Sequence, residues 1–212
     1  IILLLYAFGR DDYDALVERY REFCSSGNFE GAYQFANQEL QFNRQEECPD
    51  QPERLHRWVK QTICYRGFER WFAVVFYFAL LGAPAAVAYR LLQLYATNDS
   101  DSADRNLAAG VLHVVDWLPA RLLIFAFAVT GDWVGSREQV ASSFSDFDSD
   151  AGESIADAAH AALGLKTTVF VDNEDPEAFA QVSAWEVEQV RSLLTRSAIA
   201  WVVAISLLVV FI

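Results

Sequence analysis

The sequence predicts an all-α fold: a polytopic membrane protein whose transmembrane helix bundle carries helical cytoplasmic segments. Three observations predict it. Apolar residues make up 53% of the 212 residues and are segregated into long uncharged runs. The polar stretches between those runs space their apolar residues helically. Helix start signals, such as Asp50-Gln51-Pro52-Glu53, precede long helical patterns. The same composition excludes a disordered chain, and glycine lacks the period of three that a collagen-like chain needs. Lys and Arg number 16 against 29 Asp and Glu, giving a net charge of −13. Affinity for phosphate needs clustered positive charge, so no nucleic-acid partner is expected.

Taken in order, Ile1 to Phe8 reads as the end of a truncated transmembrane helix. The chain has no Met and opens inside an apolar run without the basic start of a signal peptide. Residues 9–70 read as a cytoplasmic helical segment. Tyr13, Leu16, Val17 and Tyr20 have helical spacing, Ser25 to Asn28 break it, and Phe29 to Leu40 resume it. The run Gly27-Asn28-Phe29-Glu30-Gly31-Ala32 is similar to half of a tetratricopeptide repeat, but one unit builds no solenoid, so a helical hairpin is expected. Asp50 as N-cap, Pro52 in the first turn and Glu53 at the capping-box position start a helix running through Trp58 and Arg70 into the membrane.

Residues 71–96 are expected to form a transmembrane helix. Trp71 to Ala88 holds no charge over 18 residues, and a kink is expected near Gly82 to Pro84. Residues 97–106 read as a short external linker. Residues 107–131 form the next transmembrane helix, which carries His113, Asp116, Pro119 and Arg121. Residues 132–196 make an acidic cytoplasmic segment. Asp146, Asp148, Asp150 and Asp157 superficially have calcium-loop spacing. Ala151 stands where glycine is needed, and a cap on a helix from Gly152 to Leu163 explains the same aspartates. Lys166 to Glu177 reads as a loop. Residues 197–212 are the C-terminal transmembrane helix, with a lead-in from near Ala184. The two long polar segments hold thirteen Lys and Arg and the linker holds Arg105 alone, so the positive-inside rule puts the long segments in the cytoplasm. Arg90, near the outer end of its helix, is placed to snorkel.

Cys24, Cys48 and Cys64 are odd in number and form no CxxC, so free thiols are expected in a reducing compartment. No zinc pattern, nucleophile elbow, phosphate loop or dinucleotide fingerprint occurs, so no catalytic residue, metal ligand or cofactor is assigned from motifs. The informative stretch is Leu112 to Leu122. Charged groups at membrane depth are costly and functional by default. His113 and Asp116 share a helix face, so Asp116 can fix the histidine tautomer. Pro119 removes the hydrogen bond to the Val115 carbonyl. A bend there could bring Arg121 toward Asp116, or leave a carbonyl for Arg121 to satisfy.

The stretch His113-Val114-Val115-Asp116-Trp117-Leu118-Pro119-Ala120-Arg121-Leu122 resembles the signature of the AmpE family, inner-membrane proteins paired with an amidase in β-lactamase regulation. That family shares a superfamily with the CobD/CbiB synthases of cobalamin assembly. Phe76 to Pro84 followed by Ala88-Tyr89-Arg90 is a second match, resembling the synthases' interrupted helix. The resemblance covers roughly residues 50 to 133. Gln93, Leu94, Tyr95 and Ala96 stand where the synthases have Asn-Thr-Leu-Asp, and Leu112 and His113 where they have an aspartate pair. Loss of carboxylates removes metal- and phosphate-handling capacity and favours the AmpE branch.

The resemblance implies a non-enzymatic inner-membrane regulatory or sensory protein linked to cell-wall recycling and β-lactamase regulation. It implies a multi-pass protein in a bacterial inner membrane. His113, Asp116, Trp117, Arg121, Tyr89 and Arg90 are its expected ligand-binding or coupling residues, with no cofactor. One alternative is an accessory or scaffolding subunit of a membrane complex. Another is a CobD/CbiB-like synthase using ATP with Mg, in which Arg90 and Arg121 would clamp an anion. The expected partners are the lipid bilayer and a protein docking on the acidic cytoplasmic segments.

Overall fold

Helices α1 (Tyr13–Ser25) and α2 (Phe29–Phe35) form the expected hairpin, in a computed structural model that describes residues 13–40, 48–97, 103–147, 149–165 and 176–211. The turn uses Gly27 at φ +67, a left-handed backbone that side chains resist. Asn28 then caps α2, its side-chain oxygen accepting from Gly31 N at 2.9 Å. Val17, Tyr20, Cys24, Ala32 and Phe35 are the buried face. All three cysteines are free and buried. The expected span Ile1 to Phe8 and most of the expected loop from Lys166 lie outside the described residues. Among the described residues the architecture is helical, without strands.

Helix α3 (Pro52–Gly67) does not use Asp50 as its cap. The fixed φ of Pro52 suits the first helical position, which makes Gln51 the cap residue, in extended conformation and without a side-chain bond. The chain continues through a π-helical stretch, Phe68–Ala73, into α4 (Val74–Leu81). There the expected transmembrane helix 71–96 departs from a straight rod. Gly82 adopts φ +84, and α5 (Ala83–Ala96) returns along α4. The rings of Tyr77 and Tyr89 stack with centroids 5.3 Å apart. Twelve residues of straight helix would put them about 18 Å apart. The expected kink is therefore a complete reversal, permitted by a glycine at positive φ followed by Pro84 in the next first turn. Ala96 and Thr97 end up lining the same cavity as Trp58 and Thr62. The end of α5 thus returns to the part of the molecule where α3 lies, and residues 98–102 of the expected linker lie outside the described residues.

Helix α6 (Ala103–Thr130) runs through Pro119 without interruption. Helices α7 (Trp133–Ser145) and α8 (Ala151–Ala162) pack back against it as a second hairpin. Gly131 makes the closure possible: a Cβ there would sit 2.5 Å from the Ala162 carbonyl oxygen, which accepts from Asp132 N at 2.7 Å. Asp150 caps α8 as expected, accepting from Gly152 N at 2.8 Å and Glu153 N at 3.2 Å. Helix α9 (Pro176–Phe211) starts earlier than the anticipated lead-in at Ala184 and runs for 36 residues. Its first half packs on α1, where Arg191 meets Asp14 and Glu18, and Ser197 meets Thr130 of α6 at 2.9 Å.

Among the described residues two helices are long and apolar enough to cross a membrane, over Asn106–Thr130 of α6 and Glu177–Leu207 of α9. The apolar window of α6 is 56% buried within the protein, that of α9 22%. Leu107, Val111, Val114, Leu118, Phe125 and Val129 form one exposed apolar stripe on α6. Ile199, Val202, Val203 and Leu207 extend apolar exposure along α9. The interior meanwhile holds Asp116, Arg121, Glu69 and Gln93. Apolar outside and polar inside is the arrangement a lipid solvent favours, since polar groups there must find partners within the protein.

A separate polar knot joins α1, α3 and α9. The Lys60 ammonium donates to Glu186 Oε2, and His56 Nε2 lies 3.1 Å from the same oxygen. His56 Nδ1 meets the Tyr20 hydroxyl at 3.3 Å. Burial holds the His56 imidazole below its ordinary pKa; the Glu186 bond opposes this and nearby Lys60 reinforces it. Burial, with Lys60 next, pushes His160 down to about 4. In the unfolded chain both rings would protonate near pH 6.5. Below that pH the unfolded state binds protons that these two rings refuse in the folded state, so both contribute a loss of stability on acidification. His160→Gln should therefore gain thermal midpoint relative to the parent as the pH falls from 6.5 toward 4 in detergent. A difference between variant and parent that stays constant over this window would contradict the burial account.

Candidate functional site

Helix α6 presents its signature residues on two faces, and the two faces have different partners. Asp116 is 1% exposed and turns toward α3 and α5. Its carboxylate accepts from the Tyr89 hydroxyl at 2.8 Å and from the Tyr65 hydroxyl at 2.9 Å. Buried Glu69 belongs to the same polar interior and accepts from Gln93 Nε2 at 3.0 Å. Arg90 donates to the Gln93 side-chain oxygen. Arg90 thus sits one step behind the cluster, half-buried and beside Gln93 on its own helix.

The second face carries His113, Trp117 and Arg121, at successive intervals of four residues, and all three hold the end of α7. Arg121 is 0% exposed. Its Nε donates to the Ser143 carbonyl at 2.9 Å and its Nη2 to the Asp146 carbonyl at 2.6 Å. The guanidinium also lies 5.3 Å from the Trp117 ring centroid, a cation–π contact. Trp117 Nε1 donates to the Asp146 carbonyl at 3.1 Å, and its ring stacks on Phe147 with centroids 4.4 Å apart. His113 Nε2 reaches the Phe147 carbonyl at 3.1 Å.

These contacts correct the anticipated geometry. Arg121 does not turn toward Asp116, because the last carbonyls of α7 lack intrahelical donors and offer the guanidinium the negative end of a helix dipole. His113 takes a carbonyl on the neighbouring turn rather than a carboxylate on its own helix. Pro119 does free the Val115 carbonyl, but the Tyr77 hydroxyl satisfies it, at 2.8 Å. Tyr77→Phe should therefore cost about 1 kcal/mol in a Pro119 background. In Pro119→Ala the restored amide can bond Val115, and the cost of Tyr77→Phe should shrink toward zero. A double-mutant cycle of thermal or denaturant stability reads this coupling; additive costs would contradict it.

Of the expected site residues, Asp116 and Tyr89 meet directly. His113, Trp117 and Arg121 form a separate docking stripe, and Arg90 joins the Asp116 side only through Gln93 and the Glu69 charge. Sequence reasoning missed Tyr65, Tyr77, Glu69 and Gln93. A signal was present for two of them: Tyr65 and Glu69 lie four apart, just ahead of the uncharged run, so they share a helix face.

Beside Asp116 lies a cavity of about 280 Å³ bounded by α3, α5, α6 and the first turn of α8. Trp58, Tyr65, Arg66, His113, Asp116 and Asp150 are among its walls. Among the described residues no group of three His, Cys, Asp or Glu is arranged to hold a metal ion. The cavity can admit a small molecule, and its wall is shared by α6 and the start of α8 in the second hairpin. No family model, no curated protein and no solved structure matches the chain.

Proposed function

We propose that the chain is a non-enzymatic regulatory protein of a bacterial inner membrane, of the kind the AmpE resemblance implies, linked to cell-wall recycling and β-lactamase regulation. The observation that carries this reading is the meeting of Tyr89 and Asp116 at 2.8 Å beside a cavity. These two residues come from the two separate stretches that carry the resemblance. The division of α6 into two faces supports a relay. Occupancy of the cavity acts on Asp116, and the same helix grips the end of α7 through His113, Trp117 and Arg121. The apolar outer stripes of α6 and α9 support a bilayer as the surrounding partner.

The test is induction of β-lactamase in the bacterium that encodes the chain. Deleting the gene should alter induction by a β-lactam, and the intact chain should restore it. Asp116→Asn, present in membranes at the same level, should not. Unchanged induction on deletion would overturn the regulatory reading. Full restoration by Asp116→Asn, with stable capture of a larger complex, would favour an accessory subunit instead.

A further inference from the structure

Two buried charges on α6 are compensated very differently. Arg121 is held by two carbonyl oxygens at the negative end of α7 and by an indole face. Asp116 receives two neutral hydroxyls and, among the described residues, no ion pair. A buried carboxylate without a cation is costly. Unlike Arg121, Asp116 stands on the wall of a cavity of about 280 Å³. That volume equals about nine waters at roughly 30 Å³ each.

The cavity wall is biased toward a positive guest. Asp150, the cap of α8, adds a second carboxylate. Two basic groups also stand on the wall: His113 reaches the Phe147 carbonyl and acts electrostatically on Asp116, and the charge of Arg66 acts on Glu69. Trp58 and Tyr65 are the aromatic members of the wall. Gln61, Thr62 and Thr97 supply neutral hydrogen-bonding groups. An anion would face both carboxylates, and a neutral guest would leave the Asp116 charge unmatched.

We infer that this cavity binds a small hydrophilic primary amine, its ammonium seated on Asp116 and its body against Trp58. The inference rests on the proposed regulatory reading and names the ligand chemistry of that site. An ammonium brings three donors and one positive charge. It can bond Asp116 while the Asp150 charge attracts it as well.

Thermal unfolding of the detergent-solubilised full chain tests it, with 1,4-diaminobutane, cyclohexylamine and glucosamine as probes. Each is paired with its neutral counterpart: butane-1,4-diol, cyclohexanol or glucose. At least one amine should raise the midpoint in a saturable way while its neutral counterpart does not. Asp116→Asn should abolish the shift. Asp150→Asn should require about tenfold more amine, since Asn caps α8 as well as Asp does but carries no charge. That second variant keeps the test alive if Asp116→Asn does not fold. Equal shifts from the neutral counterparts would overturn the amine inference and leave the regulatory reading standing. No shift from any amine, or shifts that both variants retain, would overturn the inference outright. The regulatory reading falls separately, through unchanged β-lactamase induction.

Discussion

Replacing Arg121 with alanine is expected to destabilise the protein by about 3–5 kcal/mol, from the cavity it opens and the hydrogen bonds it removes. Arg121 heads the largest fully buried side chains. Its loss empties that volume and leaves the Ser143 and Asp146 carbonyls without their guanidinium donors. Trp117 retains its own bond to Asp146 and its stack on Phe147, so the end of α7 should loosen rather than detach. Hydrogen exchange should rise first at the end of α7, around Ser143 to Asp146. Arg121→Lys should recover part of the loss, because an ammonium keeps the charge but not the fork that spans two carbonyls. The thermal midpoint in detergent reads the total effect. A midpoint for Arg121→Ala equal to that of the parent would remove the docking role assigned to this residue.

The second large effect belongs to Glu186. This carboxylate anchors Lys60 and His56 at once, and the side chains of Lys60 and Glu186 are only 7% and 12% exposed. Glu186→Ala should cost about 3–5 kcal/mol, because it strands a buried ammonium. Replacing the pair together, Lys60→Met with Glu186→Leu, should cost far less, since no uncompensated charge remains. Equal losses in the single and double variants would show that packing volume, rather than the ion pair, holds α3 to α9. The knot explains why helices rich in polar residues still pack tightly at this end of the molecule.

Much of the fold was legible in the sequence because local chemistry dictates it. The α1–α2 hairpin follows from Ser25 to Asn28, and the α8 start from Asp150. The interruption at Gly82 and Pro84 was also legible. That it reverses the chain was not, because the reversal depends on Tyr77, Tyr89, Glu69 and Gln93 finding partners across the hairpin. Composition treats such a hairpin and one straight span alike, since both are uncharged and apolar. The site was partly legible for the same reason. His113, Asp116 and Arg121 stood out as charges in an apolar helix. Their partners are backbone carbonyls and tyrosine hydroxyls from distant segments, which carry no sequence mark. An approach of Arg121 to Asp116 depended on a bend at Pro119, and α6 runs through Pro119 without interruption, which leaves the two on different faces. The end of α7 then competed successfully for the guanidinium.

The central claim is that lipid covers the apolar stripes of α6 and α9 while the polar cluster faces inward. Cysteine labelling in isolated membranes tests this most directly. The native thiols provide a quiet background, since burial pushes Cys24 up to about 11 and Cys64 up to about 12, and raises Cys48 as well. Val114→Cys, Val129→Cys and Val203→Cys replace exposed stripe residues, and Ser26→Cys in the exposed α1–α2 turn serves as the reference. In opened membrane vesicles, a membrane-impermeant maleimide should label Ser26→Cys. The three stripe variants should stay unlabelled until the membrane is dissolved and the chain denatured. Rapid labelling of all three stripe positions before denaturation, or recovery of the protein in the soluble fraction, would contradict the membrane-embedded account.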